Sequence, residues 1–102
     1  MLRFIFLTTI IFLINAFALS AITSGNAFFG CTSKTYLDDA IAFVSNKDYQ
    51  SLDAYFKSGK CMDIPNKVTV TVTDYGAFSG RSEIVFRGTK VWVVNLAIKL
   101  NK

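Results

Sequence analysis

Two cysteines, Cys31 and Cys61, constrain what this chain can become more than any other feature. They are its only thiols, and an even count in a short chain points to a disulfide. The bridge would close a loop of about 30 residues, which the chain-entropy estimate values at roughly 3–4 kcal/mol. Typical domain stability is only about 5–15 kcal/mol, so a small core depends on it. Zinc is excluded as the reason for the pair, because there is no histidine and two cysteines cannot complete a four-ligand site.

The residues between the cysteines have helical periodicity. From 34 to 46, Leu37, Ile41 and Val44, with Tyr36, Ala40 and Phe43, form one apolar stripe. Thr35 is the expected cap, with Asp38 and Asp39 placed in the first turn to meet the helix dipole. Asp48 caps a second helix over 49–58, which buries Tyr49, Leu52, Tyr55 and Phe56 and stops at Lys57 and Gly59. The short connection predicts an antiparallel helical hairpin over 34–58. Its open end would bring Cys31 and Cys61 together.

The front of the chain sets the compartment. Arg3 is the only charge before Lys34, Phe4 to Ala18 is almost wholly apolar, and small residues lead to Gly25-Asn26-Ala27. These are the marks of a cleavable export leader over 1–27, leaving a single domain over 28–102. The stretch from Phe4 to Thr23 matches the ~20 residues of a spanning helix. Thr8, Thr9, Asn15 and Ser20 interrupt it, and no flanking positive cluster holds it, so no membrane span is expected after cleavage. The expected location is secreted or periplasmic. The alternative is a lipoprotein anchored through Cys31, since Gly30-Cys31 resembles the end of a lipobox. Phe28 and Phe29 fit that motif poorly, and lipidation would leave Cys61 unpaired.

After Pro65-Asn66 the period changes from helical to two. In Lys67 to Asp74 the valines Val68, Val70 and Val72 alternate with threonines, a strand with one wet face. The segment from Tyr75 to Gly80 is a loop. Arg81 to Arg87 is a second strand, with Ser82, Ile84 and Phe86 sharing one face. Gly88-Thr89 supplies a tight turn into a third strand, Lys90 to Val94. The tail from Asn95 to Leu100 adds either a helical turn or an edge strand, completing a β-meander over 67–100. The expected fold is α+β: a disulfide-tied antiparallel helical hairpin packed on an antiparallel sheet of three to five strands.

The strand half carries a resemblance. Val68 to Asp74, Phe78-Ser79-Gly80, Gly88 and Val91-Trp92-Val93-Val94-Asn95-Leu96 give a strand, a Gly-containing loop, a strand, a Gly turn and a Trp-bearing strand running into a short turn. This pattern, over about residues 67–97, resembles bacterial SH3-like small barrels. A cysteine-bridged helical part followed by such strands is also similar to small exported proteins of bacteria and their prophages. The resemblance implies five strands, with Met62-Asp63-Ile64 and the tail as candidates for the missing two, and it allows binding of cell-wall glycan or peptide.

Catalytic chemistry finds little here. Without histidine the usual neutral-pH base is missing. A bridged cysteine is no nucleophile, and Gly76 and Gly80 are too sparse for a phosphate loop. No catalytic residue, metal or cofactor is expected. The net charge of +4 is scattered, and Arg3 in the leader contributes to it, whereas nucleic-acid binding wants a clustered basic face. Binding is the better prospect. Tyr75 and Phe78 sit in a loop that does not require large aromatics, and Arg81 and Arg87 lie nearby in sequence. The competing reading puts Phe78 and Trp92 in the core. The expected function is a non-catalytic partner of a cell-envelope protein: a modulator, an inhibitor or an accessory subunit. The alternatives are a module for cell-wall polymer and an enzyme of unrecognised type.

Overall fold

The computed structural model describes residues 19–25 and 28–101, which form an α+β fold of two helices and a seven-stranded antiparallel sheet with one disulfide. In chain order the elements are β1 (Leu19–Thr23), β2 (Phe29–Cys31), α1 (Lys34–Ser45), α2 (Tyr49–Lys57), β3 (Cys61–Asp63), β4 (Thr69–Tyr75), β5 (Arg81–Phe86) and β6 (Thr89–Val94). A 3-10 turn (Asn95–Ala97) and β7 (Ile98–Leu100) follow. The strand order is β3-β2-β6-β5-β4-β1-β7. Three to five strands were expected, and the additional ones have clear origins. β2 and β3 are three-residue strands made by the segments that carry the cysteines, too short to show a period. β1 lies ahead of Phe28, the expected start of the domain, and pairs with β4 and with β7. The tail supplies both the helical turn and the strand that were alternatives for it.

Cys31 and Cys61 face each other in the β2–β3 register and are bridged, with Cα atoms 3.9 Å apart. Both are buried. The flanking hydrogen bond from Thr32 N to Lys60 O, 2.8 Å, marks them as opposed residues between ladder bonds, where side chains approach closest. The bridge occupies the Cys31 sulfur that lipidation would need.

Two apolar clusters form. The larger joins Ala21, Val70, Val72, Ile84, Phe86, Val91, Val93 and Ile98 of the sheet with Ile64 and Ala97. Its strand residues follow period two, as the Val/Thr alternation predicts. The smaller joins Cys31, Cys61, Leu37 and Ala40, with Phe29, Leu52, Phe56 and Trp92 packed against them. The helices lie against β2, β3 and β6, so they cover one end of the sheet rather than a whole face.

The helical hairpin expected over 34–58 is not matched. No residue of α2 is buried, and α1 buries only Leu37 and Ala40. The helices meet at Tyr55, whose ring packs edge-on against Tyr36 and Phe43 and whose hydroxyl donates to Asp39 Oδ2 at 2.8 Å. The cap of α1 is Ser33, not Thr35: its Oγ accepts from Tyr36 N at 3.0 Å. With the start set by Ser33, Asp38 and Asp39 fall beyond the first turn and serve side-chain partners rather than the dipole. Asp48 does cap α2, its carboxylate accepting from Ser51 N at 3.2 Å, and Gly59 follows with φ 80°. Among the described residues, no helix is long and apolar enough to cross a membrane.

Candidate functional site

The loop between β4 and β5, residues 76–80, is built to a fixed shape. β4 reaches it through a bulge at Thr73: Val72 pairs with Ile84, but Asp74 pairs with Glu83 and Tyr75 with Ser82. The extra residue flips the phase of the strand end, so Tyr75 rather than Asp74 shares the face of Ser82. Thr73 is held there by its hydroxyl, which donates to Glu83 Oε1 at 2.8 Å. At Gly76 a Cβ would collide with the Arg81 carbonyl and the Ser79 hydroxyl, so this position admits glycine alone.

A closed ring of hydrogen bonds anchors the loop. Gly76 N donates to Ser82 Oγ at 3.3 Å, the Ser82 hydroxyl donates to Asn95 Oδ1 at 2.5 Å, and Asn95 Nδ2 donates back to Gly76 O at 2.9 Å. Each group accepts from one neighbour and donates to the next, an arrangement in which polarised bonds reinforce one another. The Asn95 backbone N also donates to Gly80 O at 2.9 Å, and Gly80 N to Gly76 O at 3.0 Å. Both ends of the loop are therefore pinned to the start of the 3-10 turn. Ser82 is fully buried, so its hydroxyl needs these partners.

On this pinned loop stands Phe78, 105% exposed. Phe78 is therefore no part of the core, which removes the competing reading for it; the ring buries nothing inside its own molecule. Leu96, next to the anchoring Asn95, is 82% exposed, and Tyr75 is 41% exposed. Phe78 and Leu96 are thus exposed on segments that the hydrogen-bond ring pins, and Tyr75, next to Gly76, is partly exposed. Trp92 does behave as core, half-buried against the helix cluster.

The other expected residues divide. Arg81 stands beside the loop, its Nε 3.0 Å from Asp38 Oδ1, which ties this end of the sheet to α1. Arg87 is not brought to the site. It lies past the far end of β5, on the order of 20 Å along a six-residue strand. It forms the β5–β6 turn with Gly88, at φ 51° and 78°, and rests its guanidinium 4.8 Å over the Phe86 ring. The tight turn is thus Arg87-Gly88, one residue earlier than expected, because both central positions take positive φ.

Ser82, Asn95 and Leu96 join the candidate site, although the sequence does not single them out as site residues. A signal was present. Ser82 precedes Ile84 and Phe86 on the inward face, and Asn95 follows Val91 and Val93 on the inward phase of β6. A polar residue on an inward phase marks a place where hydrogen bonds must be waiting.

Tyr75 also lines an open groove of about 900 Å³ beside Ile22, Ile98, Leu100, Lys67 and Lys99. A smaller apolar recess of about 240 Å³ lies between α1 and the sheet, edged by Phe28, Phe29, Ile41 and Val94. At the helix end, Lys60 Nζ sits 5.2 Å and 4.8 Å over the rings of Tyr36 and Tyr55. The hydrogen bond to Asp39, followed by burial, holds the Tyr55 phenol above the ordinary tyrosine range. Compared with known proteins, the chain matches no family model, no curated protein and no solved structure.

Proposed function

We propose that this chain is an exported, non-catalytic binding protein that docks on a protein of the cell envelope, as modulator, inhibitor or accessory subunit, with Phe78 as its central anchor. The observation that carries this reading is a fully exposed aromatic on a loop whose two ends are pinned by one hydrogen-bond ring. A ring left in water by a flexible loop costs little and does little. A ring held in water by a rigid one is pre-organised, so binding loses less ordering entropy. Aromatic side chains are enriched at the buried centres of interfaces. Leu96, next to the anchoring Asn95, and Tyr75, next to Gly76, add exposed apolar surface, and the Arg81–Asp38 pair adds polar groups beside the loop.

The disulfide supports the export part of this reading, because such bonds persist in oxidising compartments. The strand part supports a second reading, an SH3-like module for wall glycan or peptide. Five neighbouring strands, β6-β5-β4-β1-β7, share the larger core, and a short helical turn follows the Trp-bearing strand as the resemblance implies.

Retention from envelope extract tests the first reading. Wild type is expected to hold a defined protein, and Phe78→Ala to weaken that binding about thirtyfold, the size of a hot-spot loss of about 2 kcal/mol. Arg87→Ala, at the far end of β5, leaves it unchanged. Equal retention by wild type and Phe78→Ala removes Phe78 as the anchor. Salt-reversible sedimentation with purified peptidoglycan, without a protein partner, favours the wall-binding reading.

A further inference from the structure

Resting on the export reading, we infer that the leader is cut between Ala18 and Leu19, nine residues before the Ala27–Phe28 bond, and that Leu19 is the first residue of the working protein. The decisive element is β1. It pairs with β4 through Leu19↔Val72 to Ile22↔Thr69 and with β7 through Ala21↔Leu100 to Thr23↔Ile98. It is therefore an inner strand that joins β7 to the sheet.

Its inward residues are core. Ala21 is fully buried in the larger cluster, and Thr23 is 2% exposed. The Thr23 hydroxyl donates to Pro65 O at 2.6 Å and accepts from Val68 N at 2.8 Å, so it satisfies the chain where it enters β4. Thr23 N donates to Val68 O and Ser24 N to Ala97 O, at 2.9 Å and 2.8 Å. A cut after Ala27 would strip all of this away. Val70 and Val72 would lose a neighbour, β7 would lose its partner strand, and the Val68 and Ala97 backbones would lose partners in a part-buried place.

A leader that ends one residue before β1 avoids that loss, and the sequence provides the exit. Ala16-Phe17-Ala18 has small residues at the two positions that an exported leader requires, and it directly follows the apolar run and Asn15. The step is a hydrolysis. A leader-removing protease adds one water across the Ala18–Leu19 peptide bond, which leaves a carboxylate on Ala18 and a new α-amino group on Leu19. Leu19 is exposed and opens the strand, so that ammonium group emerges in water.

The test expresses the full-length chain with a carboxyl-terminal tag in an exporting bacterium and reads the amino terminus by intact mass and terminal sequencing. A protein starting at Leu19 is expected, with both cysteines resistant to alkylation. Ala18→Phe should leave the precursor uncut, while Ala27→Phe should be processed as wild type. A start at Phe28, or normal processing of Ala18→Phe together with a block by Ala27→Phe, overturns the assignment while export stands. Uncut Met1 protein with two alkylatable thiols overturns export itself.

Discussion

At the scale of single residues, Asn95 has the most to lose. Its side chain is the only link between the buried Ser82 hydroxyl and the Gly76 carbonyl in the ring that pins the loop. In Asn95→Ala the buried Ser82 hydroxyl loses its acceptor, while Gly76 O keeps Gly80 N, and a buried polar group left unsatisfied costs about 1–3 kcal/mol. For a domain of this size that lowers the thermal midpoint by roughly 4–8 °C per kcal/mol, readable by circular dichroism. The neighbouring Leu96→Ala removes a side chain that touches mostly water and should stay within about 0.5 kcal/mol of wild type. Equal shifts in the two variants would mean the ring does not hold the loop. Tyr55 gives a pH prediction. Its phenol donates to Asp39, and this bond, as the first cause, raises its folded pKa above the unfolded value. The stabilisation is therefore fully present below the unfolded phenol range and fades as pH rises through the folded one. Ultraviolet titration of the folded protein should show a phenol step above the ordinary tyrosine range, and Tyr55→Phe should delete that step.

Elements rather than residues decide what the disulfide does. It joins two strands of three residues each, and neither could persist on so few ladder bonds alone. Cys61→Ala should lower stability by roughly 2–5 kcal/mol, measured by urea unfolding in oxidising buffer; an unchanged midpoint would mean the bridge is idle. The same short strands show where sequence reading ends. The Val/Thr alternation of β4, the Ser82-Ile84-Phe86 face of β5, the Asp48 cap and the cysteine pairing were legible because each is a local pattern or a count. β2 shows no such pattern, since three residues cannot display a period, and β3 is anticipated only by the resemblance, through Met62-Asp63-Ile64. β1 was hidden for another reason: Leu19–Thr23 continues an apolar run that satisfies an export leader equally well. Of the site, Tyr75, Phe78 and Arg81 were legible as unneeded aromatics and a nearby cation. Arg87 lies near them in sequence but a full strand away in space, a separation that sequence distance hides.

At the scale of the molecule, the two apolar clusters meet along a narrow seam. β2 joins the rest of the sheet through the single registered pair Cys31↔Trp92, and of the β6 side chains Trp92 and Val94 pack on the helix cluster, Val94 on the larger cluster as well. The larger cluster is made by strands whose ladders are longer: β5 and β6 pair over six residues, and β4 pairs with both β5 and β1. Regions open separately when one has few buried contacts and the other many. The helices, with no buried residue in α2 and two in α1, are the weaker region, and the bridge closes its ends. Reduction should therefore release residues 32–60 first and leave the β4–β6 meander protected. Amide exchange followed by mass spectrometry can separate these outcomes under reducing and oxidising conditions. Faster exchange confined to 32–60 after reduction is expected, with the strands from Arg81 to Val94 unchanged. If reduction instead accelerates exchange across both parts together, the clusters form one cooperative core. The Phe78 loop would then depend on the bridge, although its hydrogen-bond ring is built wholly from the β4–β5 loop, β5 and the turn after β6. Separate opening keeps that loop shaped while the helices come and go, so Phe78→Ala and Cys61→Ala should add rather than couple in partner binding.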